Sequence, residues 1–292
     1  MTTNAANSTA VMLTTCHVEY DGIDDLFRLI GSLEAALLAG EVQGLRLLVL
    51  LQGCDQGRGA KLAAELPRWV EIDSYPGRLS SSDARNQLLS WLDLGAHRNA
   101  PTFVAFPDDD AWYPPGSLGC IATQFARHPS AYLMLARYGF DASGDVCGQA
   151  HRASLHQALS HGACACLFVR PSALASVGGF SPLLGLGSLL RGGEDTEFVH
   201  RAFHHVDGRV MLLPGVLVGH AVADPVKKAG YYEGALAAML AHRRASPAAY
   251  LAFLRKLAVG VYLVTRGRLR PGAFLSAIRA ARHAAPALRA LV

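Results

Sequence analysis

The sequence predicts an α/β fold in which a mostly parallel central sheet is flanked by helices and followed by a C-terminal helical tail. Three observations favour this class. Apolar runs typical of buried strands alternate with segments of helical apolar spacing through the first hundred residues. The chain of 292 residues is 51% hydrophobic and 17% charged, which excludes a disordered protein. Beyond Lys227 the spacing is helical throughout.

The first part of the chain contains four strand–helix alternations. Strands are predicted at 10–14, 45–51, 69–73 and 102–106, and helices at 24–38, 59–66 and 84–94. Ser80 and Asp83 are capping residues ahead of the third helix. Such alternation indicates parallel pairing, and ligands of parallel sheets bind beyond the carboxyl ends of the strands.

The middle of the chain is less regular. Strands are predicted at 132–137 and 163–169, with a polar loop at 141–161 between them. A glycine-rich segment at 178–193 leads into a helix at 196–204, and short strands at 210–213 and 216–218 end at His220. We expect two units, a catalytic-type domain over 1–226 and a basic amphipathic helical region over 227–292.

The charge is divided unevenly between these two units. Residues 1–226 hold 15 Lys and Arg against 22 Asp and Glu, whereas residues 227–292 hold 12 against the single acid Glu233. Apolar and aromatic residues interleave with the cations of the tail, which is the composition of a helix at an anionic membrane surface. Packing on the body with solvated charges is an equally good interpretation. The acidic body gives no reason to expect nucleic-acid binding.

No transmembrane helix, signal peptide or disulfide is expected. The longest uncharged candidate, 257–264, follows Arg255 and Lys256 and is shorter than the roughly 18 residues that a span requires. The polar N-terminus lacks the basic residue of a secretory signal. The six cysteines form no CxxC pair and are too scattered for a disulfide scaffold. These features indicate a cytoplasmic protein, peripheral to the inner face of the membrane if the tail binds there.

Three adjacent carboxylates follow the fourth predicted strand. Asp108, Asp109 and Asp110 would repel one another at a strand end unless a cation or solvent screened them. Mg²⁺ or Mn²⁺ binds one or two carboxylates together with phosphate oxygens. A solvated acidic turn is the alternative, but the position after an apolar strand favours a metal site.

Two further signals come later in the chain. Glu194 and Asp195 follow two glycines at the start of a predicted helix, where the helix dipole favours ionised carboxylates. On its own, this pair is better explained as an ordinary helix cap. His220 ends an apolar strand, a position where most histidines are packing or surface residues.

Taken together, these motifs resemble a family 2 glycosyltransferase of the GT-A fold. The resemblance covers roughly residues 9 to 225 and depends on Asp83–Asn86, the acidic triplet, the glycine-rich segment, Glu194-Asp195 and His220 in that order. It implies an inverting enzyme that moves a sugar from a nucleotide diphosphate sugar to a glycan or lipid-linked acceptor hydroxyl, in surface polysaccharide biosynthesis. A divalent metal, Mg²⁺ or Mn²⁺, would bridge the pyrophosphate.

The resemblance also implies residue roles. Asp195 would be the catalytic base, paired with Glu194. The metal would be held by Asp108, Asp109 and Asp110, with Asp110 and Asp109 preferred, and by His220. The donor nucleotide would be contacted by Thr15, Gln52, Asp55, Asp83, Arg85, Asn86, Asp108 and Arg201, where Arg201 lies near the phosphates or holds the loop.

The sequence departs from the family at two strand ends. Thr15-Cys16-His17 replaces Thr-Tyr-Asn after the first strand, and Gln52-Gly53-Cys54-Asp55 replaces Asp-Asp-Gly-Ser after the second. Base recognition would therefore depend on Gln52 or Asp55. A non-catalytic nucleotide-sugar-binding partner subunit at the membrane is the alternative function. A phosphatase or nucleotidyltransferase is disfavoured because its motif is missing after the first strand.

Overall fold

A computed structural model shows one mixed sheet with helices on both faces. It describes residues 8–19, 22–92, 100–144, 147–205, 209–220 and 230–290. The eight strands of these residues are β1 (Thr9–His17), β2 (Gly44–Gln52), β3 (Val70–Tyr75), β4 (Phe103–Ala105), β5 (Leu133–Gly139), β6 (His151–Arg152), β7 (Leu167–Val169) and β8 (Val210–Gly219). Their order across the sheet is β3-β2-β1-β4-β7-β5-β8-β6.

The sheet is mostly parallel, as the sequence predicts. β3, β2, β1 and β4 pair in parallel, and so do β5 and β8. β7 runs antiparallel to both β4 and β5, and the short β6 runs antiparallel to β8. The carboxyl ends of β1, β2 and β4 therefore meet at one edge of the sheet, the edge where a ligand of a parallel sheet binds.

Ten α-helices are described in these residues, counted here in chain order. They are α1 (Gly22–Leu38), α2 (Gln56–Glu65), α3 (Ser81–Ser90), α4 (Ser117–Arg127), α5 (Leu155–His161), α6 (Pro171–Val177), α7 (Glu194–His205), α8 (Tyr232–His242), α9 (Pro247–Thr265) and α10 (Pro271–Arg289). Helices α4, α5 and α6 are not foreseen by the sequence analysis. The predicted domain boundary at 226/227 lies outside the described residues.

Two apolar layers cover the faces of the sheet. Ala10 and Met12 of β1 contact one layer, built with α1 and α4. Val11 and Leu13 face the other, built with α3, α6 and α7. This alternation follows from the period of two of a strand, and it explains why β1 and β2 are continuous apolar runs.

Several predicted boundaries move for identifiable reasons. Helix α2 begins at Gln56 rather than at residue 59, because the Asp55 carboxylate accepts a hydrogen bond from the Arg58 backbone N–H at 2.9 Å and caps it. Helix α3 begins at Ser81 for the same reason, with Ser80 as its cap. The two strands predicted at 210–213 and 216–218 are one strand, β8, in which a bulge accommodates Pro214.

The tail folds as three helices that share an apolar cluster with the glycine-rich segment. Leu184 and Leu190 of that segment pack with Tyr232 and Leu236 of α8 and with Leu288 of α10. Helix α9 has an 18-residue window of mean hydropathy 1.4, of which 11% is buried, so by length and composition it is able to cross a membrane. The uninterrupted apolar run is short, as expected, because Arg255 and Lys256 divide the helix, but the mean hydropathy over 18 residues stays high.

The expectation that cysteine pairing is absent is wrong. Cys120 of α4 and Cys147 form a disulfide across 27 residues. Such a pair cannot be deduced from spacing when its helix is not foreseen. Cys16, Cys54, Cys164 and Cys166 are buried free thiols, as small apolar residues of a core commonly are.

Candidate active site

A cleft of about 810 Å³ opens at the carboxyl ends of β1, β2 and β4. Its wall is built by side chains from both the body and the tail. Among the predicted site residues, those that line it are Thr15, Gln52, Arg85, Asp108, Asp109, Asp110, Glu194, Asp195 and His220. The chain therefore brings the acidic triplet and the Glu194-Asp195 pair, which are over 80 residues apart in sequence, into one cavity.

Asp108, Asp110 and His220 form a compact group of ligand atoms. One carboxylate oxygen of each aspartate and one ring nitrogen of His220 lie within 4.8 Å of one another. His220 Nε2 is 3.1 Å from Asp110 Oδ1 and 3.5 Å from Asp108 Oδ2. Two carboxylates and an imidazole suit a divalent cation such as Mn²⁺ or Mg²⁺, so the residues present fit the metal that the fold implies.

Backbone pairing brings His220 to the acidic turn. The Trp112 N–H donates to the Gly219 carbonyl at 3.0 Å, and the Gly219 N–H donates to the Trp112 carbonyl at 2.8 Å. A Cβ at Gly219 would lie 1.9 Å from Cε2 of Trp112, so only glycine permits this approach. The bridge ties the turn after β4 to the end of β8, which positions the histidine beside Asp108 and Asp110.

The charges of this group are strongly coupled. Hydrogen bonds to Asp108 and Asp110 raise the pKa of His220 to about 10. Burial opposes ionisation of Asp108, but hydrogen bonds from His220 and the attraction of Arg85 outweigh it and lower its pKa. Without a divalent cation, a protonated imidazole therefore balances the two carboxylates.

Asp109 is not a member of this group. Its carboxylate lies beside the buried Cys16 thiol, and burial together with the charges of Asp108 and Asp110 raises its pKa to about 6. The sequence analysis preferred Asp109 over Asp108 as a ligand, whereas the structure brings Asp108 and Asp110 together with His220.

Glu194 and Asp195 begin helix α7, directly after two glycines. Gly193 has φ +86°, and a Cβ there would lie 2.3 Å from the carbonyl carbon of Gly234 in α8. The left-handed conformation and the close approach both require glycine. The loop is thereby held against the tail, and the two carboxylates point into the cleft.

Arg85 connects the two acidic clusters. Its guanidinium donates to Asp108 Oδ1 at 3.0 Å and to Glu194 Oε1 at 3.3 Å, and its side chain is only 8% exposed. Ser81 Oγ also donates to Glu194 Oε1, at 3.1 Å. Glu194 is therefore engaged by two donors of helix α3, and this contact orients the start of α7 relative to Asp108.

Asp195 has no cationic partner within ion-pair distance among the described residues. Its carboxylate accepts a hydrogen bond from the Thr196 backbone N–H at 2.6 Å. Burial and the neighbouring charge of Glu194 raise its pKa well above its ordinary value. A carboxylate of this kind accepts a proton readily near neutral pH, which is the property of a general base.

Four predicted nucleotide contacts lie outside the lining of the cleft, and each has a structural partner. Asp55 caps α2, and Asp83 accepts a hydrogen bond from Ser80 Oγ at 2.7 Å. Asn86 pairs with the backbone of Phe180. Arg201 is buried against Glu197 and donates to the carbonyls of Val177 and Gly179, so it holds the glycine-rich segment.

Where β1 and β2 end at the cleft, Thr15 and Gln52 contact each other directly. Gln52 Nε2 donates to Thr15 Oγ1 at 2.6 Å, and Gln52 Oε1 accepts from the Leu79 N–H at 2.6 Å. Gln52 is 1% exposed, so its amide is fixed in orientation. It lies at the strand end where an aspartate stands in the family that the sequence resembles.

The sequence analysis missed the contribution of the tail to the cleft wall. Tyr231 lies beside Gly192, and Lys256 of α9 lies close enough to Asp195 for an electrostatic attraction that partly offsets the effect of burial on the lysine pKa. The helical spacing of the sequence could have indicated that Lys256 faces inward, because it falls on the side of α9 that carries the buried Ala249 and Gly260.

Comparison with known proteins identifies the fold. No family model and no curated protein matches the chain. Among solved structures, S. aureus TarS 1-349 superimposes with a TM-score of 0.61 at 15% identity over 97% of this chain and 88% of that chain. TarS 1-349 in complex with UDP-GlcNAc gives a TM-score of 0.56 at 14% identity over 80% and 66%.

A further TarS structure gives a TM-score of 0.56 at 14% identity over 80% of this chain, which covers only 40% of that TarS chain. TarS is a family 2-like glycosyltransferase of the GT-A fold. At these identities the likeness establishes the fold, and it confirms the fold class that the sequence predicts.

Proposed function

We propose that this chain is a metal-dependent, inverting glycosyltransferase that uses a nucleotide diphosphate sugar. The observation that carries the proposal is that Asp108, Asp110 and His220 line the same cleft as Asp195 in a GT-A fold. A metal group and a carboxylate of raised pKa are the two chemical elements that sugar transfer from a diphosphate needs. The complex of TarS with UDP-GlcNAc supports this class of donor.

The metal would be held by Asp108, Asp110 and His220, and when bound it stabilises the negative charge of the departing diphosphate. Arg85 links Asp108 to Glu194 and so keeps these ligands and the start of α7 in a fixed relation. Thr15 and Gln52 at the ends of β1 and β2 form the wall on which the nucleoside would lie.

Asp195 takes the proton of the acceptor hydroxyl as that oxygen attacks the anomeric carbon. An alcohol has a pKa far above 7, so a positioned base contributes about 10²- to 10⁴-fold. The bond from the sugar to the diphosphate breaks on the opposite face, and the configuration inverts. The raised pKa of Asp195 improves the match between base and alcohol.

The proposed acceptor is the hydroxyl of a glycan or a lipid-linked glycan, in the synthesis of a surface polysaccharide. The proposed location is the cytoplasm, at the inner face of the membrane. The Cys120–Cys147 disulfide does not support a reducing compartment, and thiol labelling of these two cysteines in freshly lysed cells tests that part of the proposal.

A non-catalytic nucleotide-sugar-binding subunit is the second candidate. It is favoured by Gln52 at the strand end where relatives carry an aspartate. Such a subunit would bind the nucleotide together with the metal, but Asp195 would then have no catalytic role. The raised pKa of Asp195 and its position in the cleft favour the enzyme.

A thermal-shift panel with UDP, GDP, dTDP and CMP, each with Mn²⁺ or with EDTA, tests donor binding. A ligand at 100 times its dissociation constant adds about 2.7 kcal/mol to the free energy of unfolding. We expect a shift with one nucleotide that requires Mn²⁺ and is lost in Asp110→Asn. The matched control Asp141→Asn alters an exposed aspartate outside the cleft lining and should retain the full shift.

Turnover separates the two candidates. With the sugar donor of the nucleotide that binds, starting from UDP-GlcNAc, wild-type protein should release nucleotide diphosphate, and Asp195→Asn should bind equally well but turn over at least 10²-fold more slowly. Binding without turnover in the wild type would favour the non-catalytic subunit. The absence of binding by any nucleotide would reject both.

A further inference from the structure

Helix α9 carries an apolar side that no other part of the described chain covers. We call this the α9 outer face, and its residues are Tyr250, Leu251, Leu254, Val261 and Tyr262. Leu251 is 66% exposed and Val261 is 53% exposed. The spacing of these residues places them on one side of the helix. Contiguous exposed apolar side chains of this kind mark an interaction site in most proteins.

The opposite side of α9 packs closely against α8. The Tyr232 hydroxyl donates to the Lys256 carbonyl at 3.0 Å, and a Cβ at Gly260 would lie 2.1 Å from that same hydroxyl oxygen. Lys256 lines the cleft from this side. Because the inner side is specifically packed, the α9 outer face points to solvent as a consequence of the fold.

Cations surround the α9 outer face. Arg266, Arg268 and Arg270 are exposed in the turn that follows the helix, and the Arg266 guanidinium carbon lies 5.6 Å from the ring centre of Tyr262. The whole segment 227–292 carries 12 Lys and Arg against one Glu. Exposed Leu, Val and Tyr side chains flanked by arginines are the composition of a helix at a lipid surface.

A helix lying on the membrane fits these residues better than a helix crossing it. A crossing would place Arg255 and Lys256, at the middle of α9, near the centre of the bilayer, where charged side chains are costly. It would also detach Lys256 from the cleft and Gly260 from Tyr232. Only the outer face is available to lipid while the fold stays intact.

We infer that the α9 outer face docks on an anionic lipid bilayer, with Leu251, Leu254 and Val261 inserted and Arg266, Arg268 and Arg270 at the headgroups. The positive charge of residues 227–292 favours an anionic bilayer over a second copy of the chain, because a second copy would bring the same positive charge against this face. A helix is about 10 Å in diameter, so docking holds the cleft wall at Lys256 about that distance from the membrane.

The docking has a consequence for the acceptor, which rests on the proposed function. A transferase fixed at this distance reaches hydroxyl groups close to the headgroups, so its acceptor is carried by a lipid. Docking itself requires neither donor nor metal. It can therefore be measured whether or not the chain is an enzyme.

Vesicle flotation of the full chain tests the inference. Vesicles contain either phosphatidylcholine alone or phosphatidylcholine with 30% phosphatidylglycerol. We expect the chain to float with the anionic vesicles and to bind the neutral ones at least tenfold more weakly. Leu251→Glu should weaken binding at least tenfold. Its matched control is Leu38→Glu on helix α1, which places the same charge at a leucine that is 82% exposed and should leave binding unchanged.

The arginines are tested by charge removal. Changing Arg266, Arg268 and Arg270 together to Gln should weaken anionic-vesicle binding about 100-fold, since each cation near the surface contributes about 1 kcal/mol. Changing the exposed Arg58, Arg68 and Arg127 of the body to Gln removes equal charge and should have a small effect.

Three outcomes would overturn the inference. The first is that the wild type does not float with anionic vesicles, and the second is that the Leu251→Glu and Leu38→Glu variants bind these vesicles equally well. The third is that light scattering shows a stable dimer, that Leu251→Glu dissociates this dimer, and that neither form binds vesicles. The Mn²⁺-dependent nucleotide shift is measured on the same samples. If the chain keeps this nucleotide shift but does not float with anionic vesicles, docking is rejected and the proposed function is unaffected.

Discussion

Gly193 provides a sharp test of how the fold positions Glu194 and Asp195, the carboxylates proposed to act in catalysis. Its φ of +86° is a conformation that costs an alanine about 1–2 kcal/mol. A Cβ there would lie 2.3 Å from the Gly234 carbonyl carbon and 2.5 Å from the Ala235 nitrogen, both of them backbone atoms that cannot rotate away. Forced overpacking adds about 1–3 kcal/mol. We therefore expect Gly193→Ala to lower the free energy of unfolding by about 2–5 kcal/mol.

The same substitution should impair turnover more than donor binding. Relief of the clash moves the loop away from α8, and Glu194 and Asp195 follow directly on it. A displacement of about 1 Å at a reacting group costs about 10²-fold in rate. Metal-dependent nucleotide binding should persist, because Asp108, Asp110 and His220 lie on other elements.

Urea denaturation and donor turnover measure these two effects, with Gly31→Ala as the control. Gly31 is an exposed residue of α1 where an added Cβ would meet no atom of the described chain within 4 Å, so alanine there should stabilise the helix by about 0.5–1 kcal/mol. If Gly193→Ala unfolds within about 0.5 kcal/mol of the wild type, the reasoning on backbone strain and close approach fails. Normal turnover despite a large loss of stability would reject the link from the loop to the catalytic pair.

Three further predictions follow from the buried groups. Since the pKa of Asp195 is raised, kcat should fall as the pH is lowered from 8 to 5, and a flat pH–rate profile would contradict the role of base. Asp195→Asn should increase the free energy of unfolding more at pH 8, where the buried carboxylate is ionised in the folded chain, than at pH 5, where only the unfolded chain ionises it. Glu197→Gln should cost about 3–5 kcal/mol in urea denaturation, because Glu197 is 0% exposed and is the partner of both Arg201 and His242, and a loss below 1 kcal/mol would show that the pair is dispensable. Reduction of Cys120–Cys147 should lower the free energy of unfolding by about 3–4 kcal/mol in the chain-entropy model for a 27-residue separation, as measured by thermal melts with and without dithiothreitol, and the Cys120→Ser variant should be insensitive to the reductant.

The sequence was most informative where a residue's role depends on its place along a strand. An apolar run fixes the direction of β4, and the acids that follow it must emerge at the carboxyl edge with the ends of β1 and β2. Asp108 and Asp110 could be placed at this edge in this way, whereas His220 at the end of β8 was added to the site only through the resemblance to glycosyltransferases. The choice within the triplet could not, because it depends on the twist of a turn and on the Trp112–Gly219 bridge.

The residues whose role the sequence left open or missed depend on distant contacts. Arg201 lies six positions after Asp195, and that spacing was compatible with either a phosphate contact or support of the glycine-rich loop. Its pairing with Glu197 and with the Val177 carbonyl becomes visible only once α6 and α7 are packed together. The Cys120–Cys147 pair likewise depends on α4, whose helical pattern was overlooked.

The charge distribution of the cleft explains why nucleotide and metal should bind together. Five carboxylates line it, those of residues 108–110 and of Glu194 and Asp195, and an incoming diphosphate adds further negative charge. The buried cation Arg85 is already shared between Asp108 and Glu194. A divalent ion between Asp108, Asp110 and the phosphates would convert this repulsion into attraction, at the expense of the proton on His220. A nucleoside, which has no phosphate, is not repelled by these carboxylates, so chelation of the metal should abolish binding of the nucleotide diphosphate that the chain accepts while leaving binding of the corresponding nucleoside unchanged.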